Sequence, residues 1–455
     1  MDAAVAQALD RLAPAFRLSA AALRALADRF GEELARGLAG EPSSLRMLPT
    51  FARQPRGDER ARVIVVDWGG TNGRVALIEL RAQGRFAVDG EESFTFTDAE
   101  KVAPAAEVFD AIAAAIEQVV AGDRRTAFPL GLIYSFPARL ERIDRAIALP
   151  LTKGWRPTGL EGADVVELLT AALRRHRLPN VVVRAVANDT VAPMVLQTYR
   201  ARAADPDARP AEIGLILGTG TNQAADLPGA GIRNLECGNF DGVVAVETPY
   251  DAALDRALAD PAPGAQRLEK MVSGHYLGEI VRRIVCDLAA RGPAFAWFTA
   301  PAFRDPFGFE SEHLSLIEAD RSPTLEATAA LLGQLGVSSS LEERRALRTV
   351  ARLVAARSAR LTAAGLVATL RRIDPALHAR HTVAVDGSLY GGYPGYGDMV
   401  VAGLVDLAGA AAGRIELEFI KDSTGAGAAV ITAVAAGKAE TPPHLAPPHP
   451  KEGDA

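Results

Sequence analysis

Twice the chain runs an apolar strand signal into a glycine turn that ends in Thr-Asn. Val63-Ile64-Val65-Val66 leads into Asp67-Trp68-Gly69-Gly70-Thr71-Asn72, and Arg74 to Ile78 resumes as a second strand. Farther on, Ile213-Gly214-Leu215-Ile216-Leu217 leads into Gly218-Thr219-Gly220-Thr221-Asn222 and another extended segment. Short β-branched runs bounded by glycine read as buried strands. Glycines in the turns permit backbone conformations and close approaches that a Cβ would block. One reading is a pair of ordinary hairpins. The other is two related α/β lobes, each turning N–H groups and threonine hydroxyls toward the phosphates of one ligand, with Asp67 in reach of a metal ion or its water shell.

The stretch between these turns carries the candidate chemistry. An apolar run from Leu130 stops at Ser135-Phe136-Pro137, and Thr152-Lys153-Gly154 comes after it. Asp164 and Glu167 have the spacing of a capping box, ahead of a helix whose apolar face is Val165, Val166, Leu168, Leu169, Ala172 and Leu173. Val181 to Ala187 then reads as a buried strand delivering Asn188 and Asp189, with a second helix starting near Thr190. In α/β proteins ligands sit where strands end, and a buried Asp is costly unless hydrogen-bonded or used. The residues point to Asp189 as general base for a hydroxyl, favoured in its ionised form by the helix N-terminus. Ser135, Thr152, Lys153 and Asn188 are arranged around the same ligand.

Composition narrows the classes. At 455 residues the chain is long enough for two sizeable lobes. A formal net charge of −6 gives no reason to expect nucleic acid, and no apolar run free of charge is long enough to predict a membrane span. Two cysteines, Cys237 and Cys286, fit a reducing compartment, and no secretory leader is read at the N-terminus. These features predict a cytoplasmic protein without an obligate protein partner. Neither the P-loop pattern nor the protein-kinase motifs occur. Residues 1 to about 45 read as helix, 283 to 380 as largely amphipathic helix with a solvated basic face, and 441–455 as a disordered tail.

Taken in order, Asp67 to Asn72, SFP at 135–137, LTKGW at 151–155, GADVVELL at 162–169, ANDT at 187–190, LILGTGTN at 215–222, LEKMVSGHYLGEIVR at 268–282, VDGSLY at 385–390 and TGAGAA at 424–429 resemble the hexokinase family of the actin-like ATPase superfamily, in a bacterial-type hexokinase or glucokinase form. The resemblance implies a two-lobed actin-like ATPase (ribonuclease H-like) α/β fold with an interlobe cleft. It divides the chain into a helical extension (1–60) on the large lobe, a small lobe (61–187, rejoined by part of 430–440) and a large lobe (188–429). It implies ATP-dependent phosphorylation of a hexose, D-glucose first, at the 6-hydroxyl, with sugar-induced closure. A non-catalytic sugar sensor on the same fold is the alternative.

Carried over by position, the sugar contacts are Ser135, Phe136, Pro137, Thr152, Lys153, Asn188, Asp189, Asn222, Glu236 and Glu279. Asp189 is the base, with Lys153 supplying positive charge. The ATP side is Asp67, Gly69, Gly70, Thr71, Asn72, Gly218, Thr219, Gly220, Gly387, Ser388 and Gly425. Mg²⁺ would be held by Asp67 and Asp189 through water. Four positions depart from the family pattern: Trp68 for an aliphatic residue, Gly73 for Phe, Cys237 for Trp and Ala426 for Lys.

Overall fold

A computed structural model describes residues 3–69, 72–151, 154–291, 295 and 300–437 of the protein. The chain divides into two compact units, Met1–Pro49 with Pro210–Ser423, and Thr50–Arg209 with Thr424–Ala455. The first unit begins with the helices Ala3–Phe16 and Ala20–Leu38 and the short strand β1 (Leu48–Pro49). Ser19 caps the second helix by accepting the Ala22 N–H at 3.1 Å, and its Leu23, Leu26, Phe30 and Leu34 are buried at helical spacing.

The second unit holds β2 (Ala61–Trp68), β3 (Asn72–Leu80), β4 (Phe86–Thr95), β5 (Phe128–Tyr134), β6 (Ala138–Arg142), β7 (Arg145–Ala148) and β8 (Val181–Ala187). Five of them form a sheet in the order β4-β3-β2-β5-β8, while β6 and β7 pair as a hairpin. The β2–β3 and β3–β4 pairs are antiparallel, whereas β2, β5 and β8 run parallel. Valine and isoleucine are frequent in β2 and β8, and leucine with Ile133 in β5, as expected of strands covered on both faces. Val63 to Val66 are all at most 2% exposed. Asp164 does cap the helix Val165–Arg175, through the Val166 N–H at 2.9 Å rather than at Glu167.

The division after Arg209 differs from the boundary expected at residue 188, and the helix Val191–Ala204 explains why. Its Tyr199 hydroxyl donates to the carbonyls of Glu59 (3.0 Å) and Arg81 (2.9 Å), and Arg202 Nη1 donates to Pro55 O at 2.7 Å. The expected 1–60 segment likewise divides at Pro49.

Back in the first unit, β9 (Ile213–Leu217), β10 (Thr221–Leu227), β11 (Gly231–Asn234), β12 (His381–Asp386) and β13 (Ile415–Phe419) join β1 in a sheet ordered β1-β11-β10-β9-β12-β13. Here β9, β12 and β13 are parallel. The long helix Leu341–Ile373 runs through this unit's core. Among the described residues it is the one helix long and apolar enough to cross a membrane, and most of it is buried in the protein.

Its basic residues are not all the solvated face expected. Arg357 is fully buried and donates through Nη1 and Nη2 to Asp251 at 2.6 and 2.7 Å. It also lies 4.4 Å from the Phe16 ring centroid. A buried charge is tolerable when it is paired and hydrogen-bonded in this way.

Candidate active site

In the second unit the register places Asp67 beside Ile133 and Ile133 beside Ala187. The carboxyl ends of β2, β5 and β8 therefore emerge side by side. Gly69, Ser135-Phe136-Pro137 and Asn188-Asp189 come directly after these strand ends, so one sheet edge collects candidates from three separate stretches of sequence. The Ser135 N–H donates to Trp68 O at 3.2 Å, tying the β5 exit to β2. Asn188 Oδ1 accepts the Thr190 N–H at 3.1 Å and also the Thr190 hydroxyl. Thr190 is the N-cap of Val191–Ala204, so Asp189 immediately precedes a helix N-terminus, where an ionised carboxylate is favoured.

Asp67 ends the same sheet row. Burial pushes its carboxyl above the ordinary carboxylate range, and Arg74, opposite it across β2–β3, works against that rise. The Arg74 guanidinium also lies near Gly425, where an added Cβ would sit 3.7 Å from Nη2. Arg74 is a candidate absent from the sequence reading, although its place across the hairpin from Asp67 was available as a signal. Asn72 Oδ1 accepts the Thr95 hydroxyl at 3.1 Å. Gly70, Thr71, Thr152 and Lys153 lie outside the described residues.

The Gly73 departure has a local cause. Gly73 pairs with Phe94 across β3–β4, and a Cβ on Gly73 would lie 2.1 Å from Phe94 Cζ. The Phe94 ring from the next strand fills the space beside Gly73.

In the first unit, β9 and β12 end together, with Asp386 beside Ile216. Gly218 and Gly387 then approach so closely that a Cβ on Gly387 would sit 2.3 Å from Leu217 O, and Gly387 has φ +126°. Asp386 braces this corner, accepting the Gly387 N–H at 2.7 Å and the Ser423 N–H at 2.8 Å. A third segment joins it, since Gly274 N–H donates to Gly218 O (2.8 Å) and His275 N–H to Thr219 O (3.1 Å). The exposed His275 ring stacks on Phe307 at 5.0 Å. These backbones form a narrow cradle around Gly218-Thr219-Gly220, with Cβ atoms on Gly274 and Gly387 excluded by the facing backbone.

Beside it lies a polar chain. Asn222 Nδ2 donates to Asn234 Oδ1 (2.8 Å), and Asn234 Nδ2 donates to Glu236 Oε1 (2.8 Å). Glu236 itself sits in the left-handed region at φ +51°, a backbone conformation often stored at functional sites. The Cys237 N–H donates to Asn222 Oδ1 at 3.2 Å. Burial pushes the Cys237 thiol up, and the negative charges of Glu236 and Glu269 add to it.

Glu269 is the second missed residue. Its Oε2 accepts the Thr221 N–H at 3.2 Å, and Cβ atoms built on Gly220 and Gly238 would lie 3.3 and 3.2 Å from that oxygen. The carboxylate thus sits between the 218–222 turn and the Cys237–Asn239 turn. Glu279, chosen from the sequence as a sugar contact, is instead fully buried. Its Oε2 accepts from Arg282 Nε (2.6 Å) and Phe307 N (2.9 Å), and its Oε1 from Arg282 Nη2 (2.7 Å) and Arg283 Nε (2.8 Å). Both oxygens are committed inside the protein, which corrects that assignment.

Residues 8–199 and 212–434 each match a family model described as hexokinase. The chain is 34% identical over 464 residues to Hexokinase-1 of Schizosaccharomyces pombe, covering 96% of this chain and 93% of the relative. It belongs to the hexokinase family. Human Hexokinase-3 is 36% identical over 448 residues, 94% of this chain but 47% of that protein. The chain thus spans about half the length of the human relative and nearly all of the yeast one. A hexokinase from Schistosoma mansoni, solved in complex with glucose, superposes with a TM-score of 0.81 at 29% identity, covering 94% of this chain and 99% of that one. A further hexokinase crystal structure gives 0.82 at the same identity and coverage. The fold is that of these hexokinases, two α/β lobes of the actin-like ATPase type. Those of these relatives with a stated source are animal and fission-yeast proteins, and they do not support the narrower bacterial-type expectation.

Proposed function

We propose that this chain transfers the γ-phosphoryl group of ATP to the 6-hydroxyl of a hexose, with D-glucose as the first substrate to test. The observation that most favours this reading is the sheet edge of the second unit, where Asp189 follows β8 at a helix N-terminus, on the same edge as Asp67. A carboxylate at a helix N-terminus, next to hydroxyl-binding side chains, is placed to accept a proton from an attacking hydroxyl. Ser135 and Asn188 flank it as sugar partners, with Phe136 and Pro137 shaping the same loop and Thr152 and Lys153 assigned to it by resemblance.

On the first unit, Glu236 and Glu269 are the proposed acceptors for sugar hydroxyls, and Asn222 and Asn234 hold Glu236 in place. Charge-assisted hydrogen bonds of this kind are among the stronger ones available. The Gly218-Thr219-Gly220 cradle with Gly387 and Ser388 is proposed for the nucleotide, together with Gly69 to Asn72, Arg74 and Gly425. Among the described residues there is no group of three or more His, Cys, Asp or Glu side chains that could hold a metal. A single half-buried carboxylate, Asp67, fits a magnesium ion that is carried in mainly by phosphate oxygens and water. Bound there, Mg²⁺ would neutralise phosphate charge, with Asp67 and, through water, Asp189 as its protein contacts.

The reading includes closure of the two units on the sugar, for which solution scattering with and without glucose is the check. ADP release measured across a panel of hexoses, amino sugars and acyl sugars tests the reaction itself. Release with glucose, mannose or fructose supports the proposal. Sugar binding without ADP release would favour a sensor, and release only with acyl or amino sugars would overturn the hexose assignment.

A further inference from the structure

Trp68 is fully buried and lies next to Asp67 at the end of β2. Its indole is the hub of an aromatic cluster in the second unit. Ring centroids of Phe109, Tyr134, Phe136 and Trp155 lie 5.3, 5.4, 5.4 and 5.3 Å away, each at a steep angle, and Phe96 lies at 6.3 Å. Edge-to-face pairs at these distances are favourable beyond the area they bury. Phe136 sits between Ser135 and Pro137, and Trp155 closes the LTKGW segment. Phe96 in turn packs on Phe94 (5.2 Å), the ring that fills the space above Gly73.

Trp68 therefore belongs by main chain to the hairpin carrying Asp67, Gly69 and Asn72. By side chain it touches residues of both segments assigned to the sugar. Its carbonyl adds a third link through the Ser135 N–H. We propose that Trp68 is a positioning residue that couples the phosphate hairpin to the two sugar-binding segments, so that sugar and nucleotide bind with mutual reinforcement. A rigid cluster with one packing arrangement moves as a unit, and two ligands that favour the same arrangement help each other reciprocally. This inference rests on the proposed hexokinase reading.

The Trp68 Nε1–H has no hydrogen-bond partner among the described residues. Trp68→Leu therefore removes ring packing without breaking a side-chain hydrogen bond, and Trp68→Phe restores a ring. Phe109→Leu serves as the control, because Phe109 packs on Trp68 from the helix Ala105–Val119 and lies in neither sugar segment. For each, glucose affinity is measured by calorimetry with and without a non-hydrolysable ATP analogue, alongside kcat, KM and the melting temperature.

The proposal expects wild type to bind glucose more tightly with the analogue present. In W68L that enhancement vanishes and kcat/KM falls by about 10- to 100-fold, the size of effect that a small misplacement of reacting groups causes. In W68F both stay within a few-fold of wild type. F109L loses melting temperature comparably to W68L yet keeps the enhancement. An enhancement that survives in W68L, or that is lost equally in F109L, reduces the cluster to plain core and overturns the proposal, as does a wild type without enhancement. A wild type that turns over no hexose overturns the functional reading as well, whereas an active wild type with a normal W68L overturns this inference alone.

Discussion

Glu279 and Arg282 share two hydrogen bonds, Nε to Oε2 at 2.6 Å and Nη2 to Oε1 at 2.7 Å, on the helix Gly274–Arg291. Arg283 and the Phe307 N–H take the remaining acceptor positions. Burial alone would raise the Glu279 carboxyl, but Arg282, the Phe307 N–H and Arg283 outweigh it, and the group is held below the ordinary glutamate range. The cluster fastens the 303–311 segment to this helix, since Arg282 Nη1 also donates to Phe303 O at 2.7 Å.

Glu279→Ala is therefore expected to act on stability. Removing one partner of a buried pair leaves the other charge uncompensated, at a cost of about 3–5 kcal/mol. A group whose pKa is lowered by folding stabilises above its unfolded value, about 4.3 for glutamate. That contribution is lost as pH falls through the lower folded value. Denaturant melts should show a large gap between wild type and E279A at neutral pH that narrows below about pH 4. A folded E279A with normal stability and weakened glucose binding would restore the sugar-contact assignment.

Glu236→Gln and Glu269→Gln are expected to weaken glucose binding selectively. A hydrogen bond to a charged group is worth about 1.5–3 kcal/mol, which corresponds to roughly a tenfold to a hundredfold loss of affinity. Nucleotide affinity measured without sugar should stay close to wild type. Unchanged glucose affinity in both variants by calorimetry would remove this pair from the site.

Gly73→Ala should destabilise the second unit because its Cβ would be driven into the Phe94 ring. Overpacking of this kind costs about 1–3 kcal/mol. In a Phe94→Leu background the same substitution should cost less, and that non-additivity identifies the contact. Equal costs in both backgrounds would mean that the ring simply swings aside.

Much of this fold is legible in the chain because the signals are local. Val63 to Val66, Val181 to Ala187 and Ile213 to Leu217 announce buried parallel strands, and the residues after them are the site candidates. Glu269 and Arg74 were missed because what marks them is tertiary. Glu269 becomes a site candidate only when the helix Arg267–Val272 meets two distant turns. Glu279 was carried over by position from the resemblance, with Gly278 beside it. The structure gives that glycine a packing cause, since the Phe309–Ser311 backbone crosses there and a Cβ would lie 2.3 Å from Phe309 O. Arg357 was misread for a different reason. Its helix reads as amphipathic, and only the distant Asp251 reveals why a guanidinium can be buried.

The central claim is that Asp189 accepts the proton of the hexose 6-hydroxyl, and Asp189→Asn tests it most directly. The variant keeps the side-chain shape and removes the base. Glucose binding by calorimetry and product formation by phosphorus NMR are measured in wild type and D189N, with 6-deoxyglucose as the sugar that lacks the acceptor. The account predicts glucose 6-phosphate from wild type and no phosphorylated product from 6-deoxyglucose. D189N should bind glucose with near-normal affinity while turnover falls by about 10²–10⁴-fold. Near-normal turnover in D189N, or a phosphoryl group found on any other hydroxyl, would contradict it.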